Sequence, residues 1–195
     1  NMADHIQHLV IQVYQEQRDK RKFEFSALQA QINPHFLYNT LNSVCSLIQM
    51  DKREDAFTII HALSSFYRTA LSNGDTIVPI QTEIMNVENY IQIQKMRYEE
   101  KISFEIMVDD EILPMKFLKF TLQPLVENAI YHGVKQKDSN GTIRIKGFSC
   151  EDKIFIVVSD DGVGMLPEKA ELLLCADSVI NKTSYGVNNI HRRIK

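Results

Sequence analysis

The stretch Gln29-Ala-Gln-Ile-Asn-Pro-His-Phe-Leu-Tyr-Asn-Thr-Leu-Asn-Ser43 sets a histidine directly after a proline inside an otherwise uninterrupted helical pattern. Before the proline, apolar or small residues recur at Ile6, Leu9, Val13, Phe23, Ala27 and Ala30, with Glu16 and Lys20 in the same seam. After it the phase continues through Leu37, Leu41, Val44 and Ile48. Such a seam, sustained over six heptads, predicts one long helix packed lengthwise on a partner, with Pro34 on the seam. Proline removes the hydrogen bond to the Ala30 carbonyl, which predicts a local kink. On that wheel His35 lies one residue past the seam and faces outward, within reach of a large ligand.

Working outward, the Met50-Asp-Lys-Arg53 break, with Asp51 as N-cap, predicts a turn into a second helix from about 53 to 71, lined on one face by Ile59, Leu63, Phe66 and Ala70. An antiparallel hairpin leaves that face half covered, and pairing two chains into a four-helix bundle would bury it. His61 reads as a core-edge histidine. Ser72-Asn-Gly-Asp75 is the strongest breaker cluster of the first half and sets the expected boundary: a helical unit over 1–74 and a mixed unit over 75–195. In the second unit, Ile84, Val87, Ile91 and Tyr98 mark an amphipathic helix over 82–98. Ile102, Phe104, Ile106 and Val108 then alternate with polar or flexible residues as a half-buried strand. A helix over 116–131, kinked or restarted at Pro124, strands over 141–148 and 153–159, a lid over 165–183 and a helix from Gly186 complete the reading. The predicted class is α+β, a long-helix hairpin followed by a two-layer α/β sandwich.

The 195 residues carry 44% apolar content, enough to fill real cores, and a net charge of −3 with no basic run, which argues against nucleic acid as a principal partner. The three cysteines, Cys45, Cys150 and Cys175, have neither metal nor disulfide spacing. No apolar run approaches the ~20 residues needed to span a bilayer.

Two further stretches carry chemistry. Pro124-Leu-Val-Glu-Asn-Ala-Ile-Tyr-His-Gly133 places Glu127, Asn128, Tyr131 and His132 within two helical turns, and neighbours 127 and 128 cannot share one contact direction. Asp160-Asp-Gly-Val-Gly164 comes directly off a strand, where glycines permit unusual dihedrals and close approach of a ligand to the backbone. Either stretch alone also fits an ordinary polar helix face or an ordinary turn.

Taken with them, Asn33 to Asn42, Asn-Pro-His-Phe-Leu-Tyr-Asn-Thr-Leu-Asn, closely resembles the phosphoacceptor box of sensor histidine kinases of the LytS/YesM type. The resemblance implies that His35 takes the γ-phosphoryl group of ATP and passes it to an aspartate on a response-regulator receiver domain. The second stretch resembles the N box of the ATP-binding domain shared by histidine kinases, Hsp90, gyrase B and MutL. That likeness implies Mg²⁺ on Asn128, Glu127 orienting water or a proton at the γ-phosphate, and His132 and Gly133 in the nucleotide pocket. Asp160 would accept from the adenine amine, with Gly162 and Gly164 making room. The last glycine box departs from the family pattern: Ser184-Tyr-Gly-Val-Asn-Asn189 retains only Gly186 and Asn189 for the phosphates. The resemblance also implies a homodimer, membrane helices upstream of a cytoplasmic portion, and further strands after Lys195, so that the ATP-binding unit is expected to be C-terminally incomplete. Where relatives in other histidine kinase groups place an acidic base directly after the histidine, this chain has Phe36, and the proton acceptor is left open. A non-catalytic dimerisation and nucleotide-binding module, or an ATPase of the same superfamily, are the rival readings.

Overall fold

The computed structural model describes residues 34–71, 76–98 and 101–166. The helix expected before Pro34, the breaker cluster 72–75, the lid beyond 166 and the last glycine box with Gly186 and Asn189 lie outside the described residues, as do the side chains of Ala70 and Tyr98.

Helix α1, Pro34–Gln49, has proline at its first described position, so the kink expected there involves residues outside the described ones. Its buried stripe is Phe36, Thr40 and Val44, with Leu37 and Leu47 packed partly against the core. The seam expected through Leu37, Leu41, Val44 and Ile48 is therefore displaced within one chain: Leu41 is 44% exposed and Ile48 54%. The reason is aromatic. Phe36 turns inward against Phe66 and Tyr90, at centroid distances of 5.3 and 5.1 Å, and draws Thr40 under cover with it. The Thr40 hydroxyl is satisfied there by donating to the Phe36 carbonyl at 2.8 Å.

Asp51 closes α1 and does not cap the next helix. It adopts a left-handed φ of 58°, its N–H donates to the Ile48 carbonyl at 3.1 Å, and the Lys52 N–H donates to Leu47 at 2.9 Å, a Schellman closure. Lys52 instead supplies the first helical carbonyl, accepting from Ala56. Helix α2, Arg53–Leu71, follows with Glu54 and Asp55 in its first turn, where negative charge suits the helix dipole. Ala56, Ile59, Ala62, Leu63 and Phe66 form its buried face, as the periodicity predicts. His61 is exposed and not at the core edge, because it lies round the helix from Ile59 and Leu63.

Strand β1, Ile77–Pro79, leads straight into helix α3, Ile80–Tyr98. This helix is covered by α2 on one side and by the later N-box helix on another. Strand β2, Ile102–Val108, alternates as expected. The following segment differs from expectation: Lys116–Leu118 is strand β3, antiparallel to β1 with Val78 opposite Phe117. Phe120 then takes a left-handed φ of 59°, and helix α4 begins only at Leu122 and runs to Asn128. Pro124 falls in its first turn, where it costs no hydrogen bond, so no kink is needed. From Ala129 to Gly133 the helix widens into a π turn, tightening again over Val134–Gln136.

Strands β4, Gly141–Cys150, and β5, Lys153–Asp160, complete a three-stranded sheet of order β2-β4-β5. β2 and β4 are parallel, Ile102 opposite Gly141, joined through α4; β4 and β5 are antiparallel, Ile145 opposite Val158. Ile102, Ile143 and Ile145 point to the helical side and join Ile112, Leu122, Val126 and Ile130 in one core with the helices. The architecture is α+β, with helices on one face of the sheet. Among the described residues no helix is long and apolar enough to cross a membrane.

Candidate functional site

His35 is the second residue of α1 and is exposed, as its place on the wheel predicts. Its polar neighbour is Asn39, one turn on, whose amide nitrogen stands 3.2 Å from Nδ1 and 3.0 Å from Nε2. Phe36 has no group that could take a proton. Asn39 was missed in the sequence, although a carboxamide four residues after a helical histidine is spaced to meet it.

The two other boxes are brought together. The end of the π turn docks on the loop after β5: the Val163 N–H donates to the Gly133 carbonyl at 3.3 Å, and the Gly162 N–H donates to Asp160 Oδ1 at 2.9 Å. A Cβ on Gly162 would collide with the Gly133 backbone, and one on Gly133 would collide with Asp160 Oδ1. Both glycines are thus required for contact between the N box and the Asp160 loop. Gly164 differs, with a left-handed φ of 68° and nothing among the described residues within 4 Å of a Cβ. Asp161 ties the loop to the sheet: its Oδ1 accepts from the Thr142 N–H at 2.8 Å and lies 3.4 Å from Lys137 Nζ. The Thr142 hydrogen bond, helped by Lys137 and Arg144, holds its carboxyl below the usual carboxylate range.

Glu127 and Asn128 are both half-buried, and His132 is exposed. Burial pushes the Glu127 carboxyl up, opposed by the Gln123 amide, which donates to it at 2.9 Å. Tyr90 of α3 is buried beside them; burial, then the Glu127 charge, push its phenol far above the usual range.

Helix α3 holds this region in place through a stripe of buried polar residues. Glu83, Asn86 and Gln94 are at most 2% exposed and, with Tyr90, lie along one stripe at helical spacing. The Glu83 carboxylate accepts from the backbone N–H groups of Phe120, Thr121 and Leu122, at 2.7, 2.9 and 3.2 Å, and so caps α4 from another helix. The Asn86 amide donates to Gln123 Oε1 at 3.3 Å.

A family model for histidine kinases matches residues 23–102. The sensor histidine kinase YesM of Bacillus subtilis is 36% identical over 164 residues, 84% of this chain and 28% of that protein. The sensor protein LytS of Oceanobacillus iheyensis is 40% identical over 138 residues, 70% of this chain and 23% of that protein. The chain belongs to the sensor histidine kinases of the LytS/YesM type. This histidine kinase chain spans about a quarter of the length of those two relatives. The sensor histidine kinase BtsS of Escherichia coli K12, at 32% identity over 172 residues, covers 88% of it, so the likeness reaches well beyond the histidine box.

Proposed function

We propose that this chain is the phosphoacceptor and ATP-binding portion of a two-component sensor kinase, which phosphorylates itself on His35 from ATP and passes the group to an aspartate of a response-regulator receiver domain. The observation that carries the reading is an exposed histidine in the Asn33–Asn42 box, on the same chain as an N box docked on a glycine loop. In this reading residues 1–74 are the signalling and dimerisation unit, pairing with a second copy as a four-helix bundle. Residues 75–195 are the ATP-binding unit, and the whole is the cytoplasmic portion of a membrane sensor.

The residues present fit the nucleotide and the cation. Asp160 offers a carboxylate as acceptor for the adenine amine, beside backbone that only glycines allow to come so close. Asn128 offers the neutral oxygen that Mg²⁺ accepts alongside phosphate oxygens. Mg²⁺ when bound would offset charge on the phosphates. Asn39 orients the His35 ring, leaving one ring nitrogen to attack the γ-phosphorus in line as the bond to the bridging oxygen breaks and ADP leaves. Glu127 orients the proton or water at that phosphate. Catalysis of this kind is chiefly positioning and charge stabilisation.

The test is labelling with ATP carrying a marked γ-phosphate, the sample then split between acid and alkali. A phosphoramidate on imidazole survives alkali and is lost in mild acid. His35→Gln is expected to abolish the label while leaving nucleotide affinity nearly unchanged. Label that survives acid, or persists in H35Q, rules out His35; ATP turnover without label favours an ATPase.

A further inference from the structure

The hydrogen bonds from Asn86 to Gln123 and from Gln123 to Glu127 form a directed chain. Gln123 spends its oxygen on Asn86, so its N–H must face Glu127, 2.9 Å away, where it can only donate. The reverse orientation would set the amide oxygen against the carboxylate. The direction has a cost: Asn86 is 1% exposed and its own oxygen has no hydrogen-bond partner among the described residues, a penalty that packing alone would not require. Tyr90, seven residues after Glu83 on the same buried stripe, closes the site from the α3 side. The chain begins on a helix other than the one that carries Glu127, so the carboxylate is fixed to α3 as well as to α4.

We propose that Gln123 is a positioning residue for Glu127, held in its donating orientation by Asn86, and that this relay from α3 sets the carboxylate in the geometry phosphoryl transfer uses. The proposal rests on the kinase reading above. Neither Asn86 nor Gln123 touches the reacting groups in this account; both act through Glu127. Gln123→Met keeps the length of the side chain and removes the donor. Asn86→Asp, when ionised, can only accept, so it draws the Gln123 N–H to itself and turns the amide oxygen toward Glu127. A change at residue 86 is thereby transmitted to a carboxylate it does not contact.

In the full-length protein, Q123M and N86D are each expected to lower the rate of γ-phosphate transfer to His35 about ten- to hundredfold, with ATP affinity changed less than about twofold. The double variant N86D/Q123M should be no slower than Q123M, and in an E127Q background neither substitution should slow the residual rate further. Losses that multiply in the double variant, losses that persist undiminished without Glu127, or ATP affinity falling in step with rate would each overturn the relay. A second measurement needs no catalysis: urea unfolding of N86L, Q123M, E127Q and their pairs. Non-additive stability changes for 86 with 123, and for 123 with 127, are expected; strict additivity overturns the proposal. If the wild-type protein transfers no label, the kinase reading fails while the unfolding cycles still decide the relay.

Discussion

At Gly162 a methyl group would have to share space with the backbone of Gly133 and lie 2.6 Å from Asp160 Oδ1, so the constraint at this residue is one of close approach. Gly164, two residues on, meets no steric limit among the described residues and needs glycine for its φ of 68°. The two glycines of one motif should therefore fail differently. Gly162→Ala is expected to lose about 2 kcal/mol of stability through overpacking and most nucleotide binding, because the N box and the Asp160 loop must part. Gly164→Ala should cost only about 1 kcal/mol and leave ADP affinity largely intact. Urea denaturation and calorimetric titration with ADP separate the two; equal losses at both positions would contradict the assignment of different roles.

At the scale of elements, α3 is the organiser, and its buried polar stripe is what the periodicity could not reveal. Ile84, Val87 and Ile91 mark its apolar face correctly and Gln94 continues their spacing, but nothing in the chemistry of Glu83, Asn86 or Gln94 signals burial. They are buried because α2 covers one side and α4 another. Each buried polar group then needs a partner, and Glu83 finds three backbone N–H groups at the start of a seven-residue helix too short to be stable by itself. Glu83→Ala is expected to cost about 3 kcal/mol, with Glu83→Gln costing less because it keeps one acceptor oxygen. Hydrogen exchange reads this locally: the amides of 120–122 should lose protection before those of β4. Unchanged protection at 120–122 in the alanine variant would remove Glu83 from this role.

For the whole molecule, the consequential feature is the aromatic joint of Phe36, Phe66 and Tyr90, which ties the helix bearing His35 to the helix behind the N box. Each ring buried there contributes about 2 kcal/mol. Because Phe36 faces inward, Leu41 and Ile48 are left on the outer side of the hairpin with Tyr38, Phe57 and Ile60, all exposed. In the proposed dimer this outer side meets a second copy. Leu41→Glu with Ile48→Glu is then expected to shift the protein toward monomer without unfolding it, since neither side chain belongs to the core of one chain. Sedimentation at tens of micromolar checks this. A wild type already monomeric there, or a double variant as dimeric as the wild type, would remove the dimer surface from these residues.

The sequence by itself determined the two helices after Pro34, the alternating strands, the exposure of His35 and the family, because these rest on local periodicity and on side chains that follow one another along the chain. It could not place β3, since Lys116–Leu118 becomes a strand only by pairing with Ile77–Pro79, some forty residues earlier. Nor could it assign Asp51, which reads as a helix start until its φ of 58° and the Schellman hydrogen bonds show it ending α1. The same limit hid Glu83, Asn86 and Gln123 from the site. A polar residue on a helix has one appearance in sequence whether it meets water or the backbone of another element, and only tertiary packing, by excluding water from the sides of α3 that α2 and α4 cover, decides which.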